Sequence, residues 1–177
     1  MNSCAKLILL ALLLAGEVAA GLGASLQQQK DEYGEPQVDR QRRSAYPGLL
    51  FRHFSLNGSD IDVGVQKVKG VWRSVWESYQ NSRETRSGYQ KGRPVFTRKI
   101  LPITPTDISR RLSSSAGGIT WPSEGKAETS ASGDSYVILK RLDGRAYAIL
   151  NDQIIYLTFA RYYPILRQQL QLPEPRG

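Results

Sequence analysis

The chain contains one cysteine, one histidine and one methionine in 177 residues, and each scarcity excludes something. Cys4 stands alone, so no internal disulfide can form, and the cystine-stapled scaffolds of small growth factors, toxins and protease inhibitors are ruled out. With His53 as the only imidazole and no second thiol, a zinc site has too few ligands. A serine triad would need His53 as its base, yet no nucleophile-elbow pattern accompanies it. Ser123-Glu124-Gly125-Lys126 has the spacing of a serine–lysine pair but lacks companion motifs. Acidic side chains are few and scattered, which disfavours a paired-carboxylate hydrolase. There is no phosphate-binding glycine loop, internal repeat or calcium loop. The expectation is no catalytic residue, no metal and no cofactor. Long apolar runs are also missing, with one exception: Leu7–Ala15 is uninterrupted but spans only nine residues, against about 20 for a bilayer-spanning helix.

That run has Lys6 before it and the small residues Val18-Ala19-Ala20 after it. Basic flank, short apolar middle and small-residue end make a secretory signal peptide over residues 1–20, cut after Ala20. Cys4 leaves with it. The formal net charge is +8, and Lys6 and Glu17 cancel within the leader, so the exported chain keeps that charge. Such a balance favours acidic partners: matrix glycans, an acidic cell-surface receptor, or an anionic membrane surface. Nucleic acid fits poorly with export. Apolar residues make up only 40% of the chain, which points to a small folded part with long flexible segments.

Residues 21–43 are polar without helical or alternating apolar period, and read as a disordered propeptide. They end in Arg40-Gln41-Arg42-Arg43. This pattern resembles the recognition site of furin-like proprotein convertases, whose acidic pockets pair with guanidinium groups. The resemblance implies such a convertase as processing partner, a cut after Arg43 and a mature chain starting at Ser44. Residues 44–59 read as a loop, in which Asn57-Gly58-Ser59 is an N-glycosylation sequon at a surface turn.

An amphipathic helix is expected over about 60–79. Val65, Val68, Trp72, Val75, Trp76 and Tyr79 fall at helical steps on one face, and Asp60 and Asp62 suit its amino end. Residues 60–111 form a helix-plus-basic segment. Within 80–111 eight basic residues meet only Glu84 and Asp107. Arg83, Arg86, Lys91, Arg93, Arg98 and Lys99 are the candidate polyanion-binding set. One strand is expected at 95–101, bracketed by Pro94 and Pro102 and therefore at a sheet edge. Residues 112–135 read as a flexible linker. Strands at 136–142, 145–150 and 153–159, joined by Asp143-Gly144 and Asn151-Asp152, predict an antiparallel meander. A short helix over 165–172 and a loose tail, 173–177, complete a β-meander unit over 136–172. The fold expected is thus α+β: a small three-stranded meander covered by the 60–79 helix.

These readings converge on a secreted, non-catalytic precursor whose basic mature chain binds an acidic extracellular partner. A cationic host-defence effector and a regulatory-peptide precursor, the latter with further cuts at Arg111 and Arg141, are the alternatives.

Overall fold

The computed structural model describes residues 21–40, 46, 48–114 and 119–174, with the backbone alone given for Val38, Asp39 and Arg40. The signal peptide with its cut after Ala20, and the stretch holding Arg42 and Arg43, lie outside the described residues.

The expected small α+β unit is overturned. Nine antiparallel strands form one sheet: β1 (Val38–Arg40), β2 (Leu50–Leu56), β3 (Ser59–Val68), β4 (Val71–Gln90), β5 (Arg93–Leu101), β6 (Lys126–Thr129), β7 (Ser135–Lys140), β8 (Ala146–Leu150) and β9 (Ile155–Phe159). The strand order is β1-β2-β3-β4-β9-β8-β7-β6, with β5 also paired to β4. The helices are short: α1 (Leu26–Tyr33), α2 (Pro105–Ser114) and α3 (Tyr163–Gln169), the last entered through a 3-10 turn at Ala160–Tyr162. The three meander strands are β7, β8 and β9, but they form one flank of the larger sheet. The free edge of β9 is taken by β4, through Trp76–Thr158 to Tyr79–Ile155.

No helix exists over 60–79. Lys69 and Gly70 both have positive φ, 49° and 83°. Two successive positive φ values make the tight two-residue turn whose twist matches a hairpin. Val65 and Val68 therefore belong to β3, and Trp72, Val75, Trp76 and Tyr79 to β4. The valines that space like a helix also suit a pleated strand. The apparent helical step at Val75-Trp76 arises from a bulge, where the register shifts between Gly64 and Val65 opposite them.

The sheet buries both faces. On one, Phe54, Ile61, Val63, Val65, Tyr79, Ile155 and Leu157 form the main core under α1 and α2. On the other, Phe51 and Trp76 pack with Tyr46, Leu49 and Tyr162, while Ile138 and Ile149 pack against Leu166 of α3. The predicted helix face is thus divided, with Val65, Trp72 and Tyr79 on one side and Val75 and Trp76 on the other.

Two segments expected to be disordered or flexible are built into this body. Ser25 and Gln28 cap α1 reciprocally. Tyr33 and Gln29 are buried against the sheet, and Tyr33 meets Phe54 edge-on at 5.5 Å. The chain before α1 is tied to β4 by Gly23 N–H donating to Ser74 O at 2.8 Å and Ser74 N–H to Ala24 O at 2.9 Å. In the 112–135 stretch, α2 runs on to Ser114 and β6 pairs with β7. Glu128 of β6 forms a buried ion pair with Arg167 of α3 at 2.6 Å.

Candidate functional site

The six candidate basic residues come together on one element. β4 is 20 residues long, but β3 accompanies it only as far as Asn81 and β9 only from Trp76 to Tyr79. Asn81 pairs with Ser59 on one side and with Leu101 on the other. Beyond that point β4 has β5 as its sole partner, so residues 82–100 form a two-stranded ribbon projecting from the sheet. Lys91 and Gly92, with φ of 50° and 75°, turn its tip. Eight residues of strand extend about 26 Å. Every residue from Glu84 to Ser87 and from Arg93 to Ile100 is exposed.

Register sorts the ribbon's side chains. Cross-strand partners share a face and successive residues alternate. The pairs Arg83–Lys99, Thr85–Thr97, Gly88–Val95 and Gln90–Arg93 lie on the face continuous with the α2 side of the sheet. The opposite face carries Glu84–Arg98, Arg86–Phe96 and Tyr89–Pro94, because the shift between Arg86 and Gly88 restores the alternation across a bulge at Ser87. There the Arg86 guanidinium stacks over the Tyr89 ring at 4.4 Å. Tyr89, Phe96 and Ile100 are exposed on that side.

Arg98 is not free. It pairs with Asp60 of β3, which also accepts from Ser82 Oγ and faces His53 Nε2 at 3.5 Å. His53 Nδ1 lies 2.9 Å from Asp62 Oδ1. Both ring nitrogens thus face carboxylates, and the hydroxyl in this network binds Asp60 rather than the imidazole. The arrangement braces the ribbon's foot and offers no activated nucleophile.

On the α2 side, a cavity of about 680 Å³ opens at the ribbon's foot, its lining including Asn57, Tyr79, Asn81, Arg83, Arg110 and Arg111. Its polar wall is ordered by hydrogen bonds. Ser59 Oγ lies 2.6 Å from Tyr79 Oη and donates to Asn81 Oδ1 at 2.8 Å. Asn81 Nδ2 donates to Asp107 Oδ2 at 3.0 Å. Asp107 and Thr104 form a reciprocal cap on α2. Although partial burial pushes the Asp107 carboxyl up, its bonds from Thr104 and Asn81 hold it below the usual aspartate range. The predicted sequon sits on the cavity rim: Asn57 is exposed at φ 51° in the β2–β3 turn, whereas the hydroxyl of Ser59 is committed to the network.

Arg111, a further cut in the regulatory-peptide alternative, is buried. Its guanidinium lies over the Tyr79 ring at 4.1 Å and bonds Glu32 of α1 at 3.3 Å. Beneath it is Glu77, fully buried on β4; burial pushes this carboxyl up to about 7, against the lowering pull of Arg111. Arg141 is likewise buried and clamped to Asp143 at 2.8 Å. Neither arginine is presented as a protease would need it. No signal in the linear chain marked the cavity, because β2, β4, β5 and α2 each bring part of its wall.

Among the described residues no group of three His, Cys, Asp or Glu side chains is placed to hold a metal, and no helix is long and apolar enough to cross a membrane. Comparisons with protein-family models, curated proteins and solved structures found no match.

Proposed function

We propose that this is a secreted, non-catalytic binding protein, made as a precursor cut after Arg43 by a furin-like convertase, that engages an acidic extracellular partner through the β4–β5 ribbon. The observation that carries this reading is the gathering of Arg83, Arg86, Lys91, Arg93, Arg98 and Lys99 on one projecting element with a single acid, Glu84, among them. A two-stranded ribbon exposed on both faces is marginal in water on its own. A ligand that neutralises its self-repelling cations would stabilise it. Signal peptide, arginine motif and sequon together support the extracellular setting.

The test has two parts. Amino-terminal sequencing of protein from culture medium should give Ser44, together with Gly21 from a retained amino-terminal fragment; Met1 in a cytosolic product would remove the extracellular reading. The secreted chain should bind immobilised heparin, used as a generic polyanion, and a variant with residues 83–99 replaced by an Asn-Gly turn between the paired Ser82 and Ile100 should lose most of that binding. Retention by the shortened variant would sink the ribbon assignment.

The exposed Tyr89, Phe96 and Ile100 beside Arg86 favour a second reading, attachment to an anionic membrane surface as a host-defence effector. Leakage of vesicles containing anionic lipid, with none from neutral vesicles, would support it in place of the first. The regulatory-peptide alternative draws no support from the buried Arg111 and Arg141.

A further inference from the structure

We infer that the acidic partner is a sulfated polysaccharide lying along one face only of the ribbon, the Arg83–Lys99–Arg93 face, with one sulfo group seated in the cavity at its foot. The inference rests on the ribbon reading above and sharpens it.

Three observations carry it. First, that face is a continuous polar track. From Lys99 to Arg93 it spans about 20 Å, with Thr85 and Thr97 between the cations and Val95 as its sole exposed large apolar side chain. Second, the track runs into the cavity, where Arg83 and Arg110 reach the same space from β4 and α2. Arg111 lines the same space with its guanidinium held over Tyr79 and on Glu32, and the acids of the lining are Glu84 and Asp107. A tetrahedral anion supplies acceptors to guanidinium groups in the fork geometry they favour. Third, the cations of the other face are compromised. Arg98 is held by Asp60, and Arg86 is stacked on Tyr89.

The track's chemistry selects the ligand class. Threonine hydroxyls and the Asn81 amide suit sugar hydroxyls and sulfo oxygens. Stacked bases would need aromatic rings, which this face does not present. An extended acidic peptide docks by edge pairing with alternate side chains in pockets, and a flat row of threonines offers none. Lipid insertion would use the aromatic face instead.

The experiment measures heparin binding by the full secreted chain at physiological salt, with two charge-matched pairs of substitutions. Arg83→Gln/Lys99→Gln should weaken binding by about tenfold or more, and should lower the salt dependence by about two released ions. Arg86→Gln/Lys91→Gln removes the same charge and should change affinity by no more than about threefold. Arg110→Gln should cost about three- to tenfold, and fully desulfated heparin should not compete. Equal losses for the two pairs would overturn the one-faced track while leaving ribbon binding intact. Polyglutamate competing as well as heparin would overturn the glycan class. Wild-type protein that binds no heparin would sink both this inference and the reading beneath it.

Discussion

β4 is one strand with two environments. Its first half has β3 on one edge and β9 on the other, and buries six consecutive residues, Ser74 to Tyr79. Its second half has a single partner and exposes almost everything. The difference lies in composition and neighbours together: Val71, Trp72, Val75, Trp76 and Tyr79 fall in the first half, whereas Tyr89 is the one large apolar residue of the second. Burial on two faces comes from strands on both edges plus helices above and below. A ribbon with neither is held by its tight turn, by cross-strand pairs and by the Arg98–Asp60 brace. The first half carries stability; the second, on the function proposed above, carries recognition.

Substitution at matched aromatic positions should break the strand into these halves most visibly. Trp76→Ala should lower unfolding free energy by about 3–5 kcal/mol, while Tyr89→Ala should stay within about 0.5 kcal/mol. Urea denaturation of the two variants would read this directly, and a comparable loss from both would mean the ribbon is packed against something. Next in size is the buried carboxyl of the first half. Glu77 is raised from an ordinary value of 4.5 to about 7 by burial, so the folded state binds its proton more tightly than the unfolded chain does. That contribution is complete below about pH 4.5 and is lost as pH rises through about 7. Glu77→Gln should therefore match wild type in acid and become more stable by roughly 3 kcal/mol above pH 8. A constant difference across the range would contradict the assignment.

The sequence was legible where turn chemistry and strand pattern agreed. Asp143-Gly144 and the apolar runs beside it locate β7, β8 and β9 to within a few residues. It misled where two periods coincide. Val65, Val68, Trp72, Val75, Trp76 and Tyr79 satisfy a helical step only because a turn at Lys69-Gly70 and a bulge at Val75 interrupt the strand alternation. Gly70, which a helix would carry only at a cost, is the residue whose positive φ lets the chain reverse. The Ser25–Gln28 and Thr104–Asp107 caps were also present in the sequence, but polar surroundings obscured α1 and a charge cluster obscured α2. The basic residues were legible as a cluster. Their sorting onto two faces depends on a register, with its bulge at Ser87, that no spacing rule supplied.

Smaller effects sharpen the contrast further. Gly92 has φ 75° at the ribbon tip, so Gly92→Ala should cost about 1 kcal/mol locally. Amide exchange should accelerate over 83–100 while the core amides and the global unfolding midpoint hold still; a shift in the midpoint would show that the ribbon folds with the body. The smallest change is at the β2–β3 turn. Asn57→Gly keeps a residue suited to φ 51° and should alter stability by less than about 0.5 kcal/mol, while abolishing any mass released by enzymatic deglycosylation of the secreted chain. Ser59→Ala is the wrong control, because it also removes the hydroxyl between Tyr79 and Asn81 and should cost about 1–2 kcal/mol.

The docking of α1 changes what a cut after Arg43 would accomplish. Tyr33 and Gln29 are sealed into the interior, Glu32 is held by Arg111, and β1 adds an outer rung beside β2. A severed peptide bond breaks none of those contacts. The liberated fragment would stay behind as a small second subunit, and the product of maturation would be a nicked heterodimer sharing one interior.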